Sequence, residues 1–185
     1  FMDGFVNNVK AIIGGGVAEG KAVANTVINA DVGQNITVTI GENGQGFDNN
    51  HIGFYGGGYA DSGVNDGKSS NNLLVSARVG GNITIYADKD IQASISNGQR
   101  EGQVFWYFYG GGFAAGRNAD STVVGNVNIT ISRPVIEARE ALYGGGFASF
   151  GGTSDVNGKT QILVKPIVGQ TNDFENTAAV YGGGR

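Results

Sequence analysis

Short stretches in which apolar and polar residues alternate recur along the chain. The apolar positions are Ile36, Val38 and Ile40, then Ile83 and Ile85, then Val127, Ile129 and Ile131, and finally Ile162 and Val164. Alternation with β-branched residues is typical of a strand that buries one face. A glycine and an asparagine precede the first three stretches, and both residues tolerate the positive φ of a tight turn. We therefore predict four equivalent strands whose apolar side chains are buried and stacked in columns.

A second motif, Tyr-Gly-Gly-Gly preceded by an apolar residue, occurs four times. Its tyrosines are Tyr55, Tyr109, Tyr143 and Tyr181, and Ile13-Gly14-Gly15-Gly16 is a degenerate earlier copy. The first glycines of successive triplets are separated by 42, 54, 34 and 38 residues. The first four triplets are followed by Val17-Ala18, Tyr59-Ala60, Phe113-Ala114 and Phe147-Ala148. Matched flanks indicate a repeated structural unit.

Repeats of this length, built from short strands and separated by variable loops, indicate a solenoid. We predict an all-β chain folded as a parallel β-helix (β-solenoid), right-handed as parallel crossovers usually are, with about one turn per repeat and irregular loop insertions. Residues 1–185 are expected to form a single solenoid segment. Because the chain begins at Phe1 and stops within a repeat, we expect a fragment of a longer array. The apolar residues of Asp3–Ile13 fit an opening helix or a strand, and alignment of Ile12-Ile13-Gly14 with later copies favours the strand.

The pairing of Gly-Asn-x-x-Ile-Thr-Ile stretches with apolar-Tyr-Gly-Gly-Gly motifs resembles the repeats of one class of bacterial protein. These are large, adhesin-like cell-surface proteins of the parallel β-helix type, common in gut-dwelling anaerobes. The resemblance spans about Ile12 to Arg185 and is weak for the identity of a ligand. It implies an extracellular structural or adhesive role and brings no catalytic residues. The long insertion Asp88–Val104 departs from the tidiest members of the class.

Composition narrows the classes of function. Glycine supplies 34 of the 185 residues, yet 40% of the chain is hydrophobic, which is enough apolar content for a folded core. Only 15% of the residues are charged and the net charge is −4, which disfavours nucleic acid and anionic membranes as partners. The chain has no cysteine and one histidine, so disulfides, thiolate catalysis and Cys- or His-paired metal sites are excluded. No cofactor is expected.

Aromatic side chains are the main candidates for a contact surface. On alternating strands, the tyrosine of each motif and the aromatic residue after the triplet share one face. Stacked repeats then give two ladders, one of Tyr55, Tyr109, Tyr143 and Tyr181 and one of Tyr59, Phe113 and Phe147. The ladders either fill the interior or form an exposed track that stacks on sugar rings or packs on protein. The run of five aromatic residues that includes Trp106 must place some of them on the outer face, where they form a contact surface or are covered by the preceding insertion.

Loop carboxylates are the candidates for catalysis or metal binding. They are Asp61, Asp66, Asp88, Asp90, Asp120 and Asp155. Asp88 and Asp90 are the nearest to a pair, but solvated loop charges are the simpler interpretation. The Asp61–Asp66 loop offers oxygen ligands for calcium without matching a known calcium-loop pattern. His51 is linked to no nucleophile by any motif, so we predict a surface histidine and no catalytic or metal site.

Asn-x-Thr triplets begin at Asn35, Asn82 and Asn128, each at the start of a predicted strand. They match the N-glycosylation acceptor pattern. Their repeated position is better explained by a stacked ladder of asparagine or threonine side chains.

Together these features favour a structural or adhesive segment of an extracellular bacterial surface protein. Its partners would be a glycan or protein surface, or other copies of the chain stacked head to tail, with no nucleic acid and no membrane insertion. The alternative is a carbohydrate-active β-helix enzyme, a polysaccharide lyase or hydrolase. That alternative would need three or more carboxylates converging on one face.

Overall fold

The chain folds into short strands joined by bends and loops. The computed structural model describes residues 11–20, 26–39, 52–64, 73–87, 94–96, 99–101, 103–131, 136–138, 141–164 and 179–185. Every regular element among these residues is a β-strand, and none of them lies in a helix. The strands recur in the same order in each repeat, as the sequence motifs predict.

The first repeat contains β1 (Ala11–Ile13), β2 (Val17–Glu19), β3 (Val27–Asn29) and β4 (Ile36–Thr39). The second contains β5 (Ile52–Tyr55), β6 (Tyr59–Asp61), β7 (Leu74–Ser76) and β8 (Ile83–Ala87), and is followed by β9 (Ser94–Ser96) and β10 (Gln99–Glu101). The third contains β11 (Gln103–Tyr109), β12 (Phe113–Ala115), β13 (Ala119–Asp120) and β14 (Val127–Ile131). The remainder are β15 (Ile136–Ala138), β16 (Leu142–Tyr143), β17 (Phe147–Ser149), β18 (Thr160–Val164) and β19 (Val180–Tyr181).

Four parallel sheets arise because each strand pairs with the strand at the same position in the next repeat. Sheet 1 has the order β1-β5-β11-β16-β19, with β15 also paired to β11; sheet 2 is β2-β6-β12-β17; sheet 3 is β3-β7-β13; and sheet 4 is β4-β8-β14-β18. The β9–β10 pair is the antiparallel exception among the described strands. The prediction of an all-β chain of in-register parallel strands is confirmed, and the arrangement is compatible with a β-solenoid.

Sheet 4 shows how the alternating sequence sets the register. Val38, Ile85, Ile129 and Ile162 are directly paired across its four strands. The predicted buried residues are confirmed at Ile36, Ile83, Ile85, Val127, Ile129 and Ile131, with Val38 and Ile162 partly buried against the same cluster. Ile40 and the side chain of Val164 lie outside the described part of the structure. Equivalent apolar residues therefore stack in columns, as period-two patterning requires.

The interior is divided into two clusters of different character. The larger one lies between sheets 1 and 4 and contains Phe54, Phe108 and Leu142 opposite the isoleucines and valines of sheet 4. Val79 and Val123, from a column of single bridges between sheets 3 and 4, complete it. The smaller cluster lies between sheets 2 and 3 and is rich in alanine; its buried members are Ala18, Ala60, Val64, Leu73, Val75, Ala77, Ala114 and Ala119. Isoleucine, valine and phenylalanine dominate the larger cluster, and alanine dominates the smaller one.

A ladder of asparagine side chains precedes sheet 4, as predicted. The Oδ1 atom of Asn35 accepts a 2.8 Å hydrogen bond from the backbone N–H of Asn82, and the Oδ1 of Asn82 accepts one from Asn126 at the same distance. Asn126 in turn accepts from Lys159. The observed ladder differs from the predicted one at one residue. Asn128 lies inside β14, and Asn126 takes the ladder position. The ladder links successive repeats at the turn before each strand.

The first described residues settle the choice between helix and strand at one end of the opening segment. Ala11–Ile13 is the strand β1, paired in register with β5. The rest of Asp3–Ile13 lies outside the described residues.

Candidate functional site

The Gly-Gly-Gly segments continue the backbone ladder between sheets 1 and 2. The N–H of Gly110 donates to the carbonyl of Tyr143 at 2.8 Å, and the N–H of Gly111 donates to Gly145 at 3.0 Å. The third glycine accepts instead, since the N–H of Phe147 donates to Gly112 at 2.9 Å. The same three bonds recur at the first four triplets, so each of these bends is held to the next repeat by its backbone.

Glycine is required in these bends because the chain passes close to other atoms on two sides. A Cβ atom on Gly110 would lie 2.7 Å from Val127 Cγ1 and 2.8 Å from Ile129 Cδ1, in the core face of sheet 4. A Cβ atom on Gly111 would lie 2.7 Å from the backbone nitrogen of Gly146, in the next repeat. Such distances are not tolerated without a shift of the neighbouring atoms. The bend therefore turns inward at the triplet, between the two core clusters.

On the outside of this bend the predicted tyrosine ladder is formed. The ring centroids of Tyr55 and Tyr109 are 5.7 Å apart, those of Tyr109 and Tyr143 are 4.8 Å apart, and those of Tyr143 and Tyr181 are 5.1 Å apart. The interplanar angles are 4°, 10° and 13°, so the rings are nearly parallel. Parallel strands in register place equivalent rings at this spacing.

The second predicted ladder lies beside the first. Tyr59 stacks on Phe113 at 4.5 Å, and Phe113 stacks on Phe147 at 5.3 Å. Edge contacts join the two ladders, including Tyr55 to Phe113 at 5.3 Å and Tyr109 to Phe147 at 5.6 Å. We call this set the aromatic corner; it comprises Tyr55, Tyr59, Tyr107, Tyr109, Phe113, Tyr143, Phe147 and Tyr181.

The ladders lie on the outer side of the sheets, which decides between the two arrangements that the sequence left open. The residues that precede the tyrosines point into the larger core, where Phe54 and Phe108 stack at 4.4 Å with both side chains fully buried. Alternation then turns the tyrosines outward. An internal aromatic stack does exist, but it consists of these phenylalanines and was not predicted.

Although the rings of the aromatic corner point outward, they are not fully exposed. Tyr109 is only 1% exposed, because Tyr55 and Tyr143 cover its two ring faces while Tyr107 and Phe147 pack at its sides. Tyr181 is 50% exposed. The other members of the corner are partly buried. Along most of the corner, solvent contacts the ring edges and hydroxyl groups, because the ring faces are covered by other rings.

Burial in the corner changes the acidity of its phenols. It raises the pKa of Tyr55 to about 12, with further increases from Tyr59 and Tyr107. Burial likewise raises the pKa of Tyr59, and the carboxylates of Asp61 and Glu19 add to the increase. These phenols stay protonated and neutral far above neutral pH.

Tyr109 is the most enclosed of these phenols. Burial is the largest cause of its raised pKa, and the guanidinium of Arg185 opposes the shift. Arg185 is close enough for this effect, yet no described group meets the geometry of a hydrogen bond to the Tyr109 hydroxyl. The enclosed phenol is held by packing more than by hydrogen bonding.

The remaining predicted binding residue, Trp106, lies in β11 at an irregularity of the sheet. Relative to β5, the register shifts between Phe105 and Tyr107, so that Trp106 is the extra residue. Its side chain lies outside the described part of the structure. Beyond the bulge, Tyr107 and Tyr109 are two residues apart on β11 and share a face, where the two rings pack 6.3 Å apart.

The loop carboxylates that the structure describes are engaged in local backbone contacts or lie in solvent. Asp61 Oδ1 accepts from the N–H of Gly63 at 2.8 Å, and Asp120 accepts from Thr122 and faces Arg78 at 3.4 Å. Asp155 is exposed. Asp66, Asp88, Asp90 and His51 lie outside the described residues. Within the described ranges, acidic and histidine side chains form no group of three that could hold a metal ion.

A second outer surface, which was not predicted from the sequence, lies on sheet 4. We call it the open face; its outward positions are Thr37 and Thr39, Thr84 and Tyr86, Asn128 and Thr130, and Gln161 and Leu163. Tyr86 is 40% exposed and is paired in register with Thr39 on one side and Thr130 on the other. The signal that could have identified it is a single aromatic residue at a polar position of an alternating strand.

No protein-family profile matches the chain, and neither a characterised protein nor a solved structure shows significant similarity to it. The part of the chain that the structure describes contains no helix of the length and hydropathy needed to cross a membrane.

Proposed function

We propose that the chain is a right-handed β-solenoid segment that serves a structural and adhesive role in an extracellular bacterial surface protein. The observation that carries this proposal is the uniform pairing of equivalent positions. Sheets 1 to 4, the glycine bends and the asparagine ladder all join each repeat to the next in the same register.

A stack of this kind supports a passive mechanism. Each repeat contacts its neighbours through backbone ladders and ring stacks, so adding repeats lengthens the structure without changing its cross-section. The side surfaces, including the aromatic corner and the open face, then present the same chemistry at intervals of about 4.8 Å. Contacts to a glycan or a protein surface, or between copies of the chain, would be made through these sides and ends. The bacterial surface location rests on the resemblance of the repeats.

Inserting one whole repeat tests the solenoid. We would duplicate residues 103–135, which carry β11 to β14, directly after residue 135, so that the inserted β11 takes the place of β15 beside the original β11. A solenoid accommodates the extra turn, so we expect cooperative unfolding, an unchanged cross-sectional radius in small-angle X-ray scattering and a midpoint no lower than that of the parent chain. Duplicating only residues 113–131 is the matched control, because it adds sheets 2 to 4 without sheet 1 and should disrupt the register. Equal disruption by both insertions would refute the solenoid.

The adhesive part of the proposal needs a binding measurement. The chain displayed in many copies on beads should bind to glycan arrays or to epithelial cell surfaces, and a denatured sample should not. Failure of the folded beads to bind either surface would leave only the structural role.

A further inference from the structure

The open face of sheet 4 is a flat, neutral surface. All of its outward side chains are uncharged, although the chain carries a net charge of −4. Its strands are parallel and in register, so the side chains form two straight columns across four strands. A neutral, flat array favours a neutral ligand, because charged polymers gain nothing from it.

Tyr86 is the aromatic residue of this face. In contrast to the tyrosines of the corner, its ring stacks on no other ring of the described residues, and 40% of the side chain is exposed. Thr39 and Thr130 flank it in the adjacent strands. Leu163, next to Thr130 in the same column, is 44% exposed. An exposed aromatic ring that stacks on no other described ring, beside apolar methyl groups, is suited to the C–H face of a sugar ring.

The polar groups around Tyr86 are available. Within the described residues, the hydroxyls of Thr39, Thr84 and Thr130 take part in no hydrogen bond. Adjacent strands are about 4.8 Å apart and a two-residue step along a strand is about 6.6 Å, so these three side chains lie roughly 8–10 Å from one another around Tyr86. Such groups bind sugar hydroxyls without first breaking a bond within the protein.

We infer that the open face binds an extended, neutral polysaccharide chain, with the ring of Tyr86 against one sugar and the flanking threonine hydroxyls bonded to its neighbours. This inference rests on the proposed adhesive function and names its ligand class and its surface.

A second copy of the chain fits the face less well. Four strands about 4.8 Å apart and about four residues long give a patch of roughly 250–300 Å². A stable protein interface buries about 800 Å² on each partner, with a core rich in apolar and charged-planar side chains. A polysaccharide chain needs no such area, because it makes repeated contacts along its length.

The experiment measures depletion of the soluble chain by microcrystalline cellulose, chitin and insoluble mannan, with alginate gel as the anionic comparison. We expect retention on at least one neutral polymer and little on alginate. Binding to the neutral polymer should be similar at about 0.1 M and about 1 M salt, because the face is uncharged. Tyr86→Ala should weaken that binding about tenfold, and Tyr86→Phe should retain it.

The matched control is Phe150→Ala, which removes a 63% exposed aromatic side chain from a turn outside sheet 4 and should leave binding unchanged. Three results overturn the inference: no retention on any neutral polymer, equal retention of Tyr86→Ala and the parent chain, or a loss that also occurs in Phe150→Ala. Sedimentation that shows Tyr86-dependent dimers without polysaccharide binding would assign the face to a second copy instead. The repeat-insertion experiment judges the solenoid independently, so failure here does not decide the proposed function.

Discussion

The aromatic corner and the open face are built by the same register yet differ in what they leave available. In both, outward side chains of successive parallel strands stack in columns. In the corner, the glycine bends turn the backbone inward, and rings from sheets 1 and 2 meet until Tyr109 is 1% exposed. On the open face the sheet has no such bend, and Tyr86 remains 40% exposed.

The difference shows that an outward aromatic residue in a repeat structure is not by itself a binding residue. Where neighbouring sheets converge, outward rings behave as a second core and contribute to stability. Where the sheet is single and unbent, the same kind of residue can meet a ligand. Substitutions in the two regions separate these two roles.

We expect a large loss of stability when a side chain is added to a glycine bend of the aromatic corner. We expect Gly111→Ala to destabilise the fold by about 3 kcal/mol or more, because the added Cβ atom would lie 2.7 Å from Gly146 N and 2.9 Å from Gly145 C. Backbone atoms of a paired neighbour cannot move away cheaply. The midpoint of urea unfolding, followed by circular dichroism, measures the loss.

Gly33→Ala is the matched control for that change. A Cβ atom on Gly33 meets nothing within 4 Å, and its φ is not positive. We expect a change within about 1 kcal/mol, in the stabilising direction, because alanine restricts the unfolded chain. Equal loss in the two variants would show that glycine is needed for another reason than close approach.

Two substitutions of Tyr109 distinguish packing from hydrogen bonding in the corner. Tyr109→Ala should lower the free energy of unfolding by about 3–5 kcal/mol, the usual cost of emptying a buried aromatic site. Tyr109→Phe should be neutral or slightly stabilising, because the hydroxyl is enclosed without a well-formed hydrogen bond. A loss above about 1.5 kcal/mol in Tyr109→Phe would mean that the hydroxyl is bonded, with Arg185 the first candidate.

Much of this arrangement follows from the sequence, and the exceptions have physical reasons. The alternation at Ile83, Ile85 and Ile129 predicts the core face of sheet 4 because only one face there is apolar. At Phe54 and Tyr55 both faces carry aromatic residues, so alternation alone cannot say which ladder points inward. Asn128 matched a sequence triplet, but the hydrogen-bonded ladder selects Asn126 by its place in the turn.

Tyr86 could not be predicted from the sequence because it lacks the repetition that marks the other rings. Its paired positions are Thr39 and Thr130, so no aromatic ladder includes it. Residues valuable for binding need not repeat, whereas those that hold repeats together must. The inward bend could not be predicted from the local sequence pattern either, because it depends on contacts between segments that are distant in the sequence.

High pH provides a milder test of the corner. The folded state holds the pKa of Tyr55 at about 12 against an ordinary value of 10.0, so it binds a proton more tightly than the unfolded chain does. Stability from this group is therefore complete below pH 10 and is lost as the pH rises from 10 toward 12. The raised pKa values of Tyr59 and Tyr109 act in the same direction.

Urea unfolding midpoints measured across this range should fall with pH, and Tyr55→Phe should reduce the slope. The same variant measured at neutral pH isolates the change in packing, because the phenol is protonated there in both states. A slope that is unchanged in Tyr55→Phe would remove this residue from the linkage.

The smallest expected effect belongs to the open face. Thr84→Val keeps the β-branched shape and the strand preference while replacing an unbonded hydroxyl with a methyl group. Since the side chain makes no hydrogen bond within the described residues, we expect the free energy of unfolding to change by less than about 0.5 kcal/mol. If the open face binds a ligand, this variant should lose affinity for a neutral polysaccharide while unfolding like the parent chain. A destabilisation comparable to that of the corner variants would show that the open face is also part of the fold's support, and the contrast between the two regions would fail.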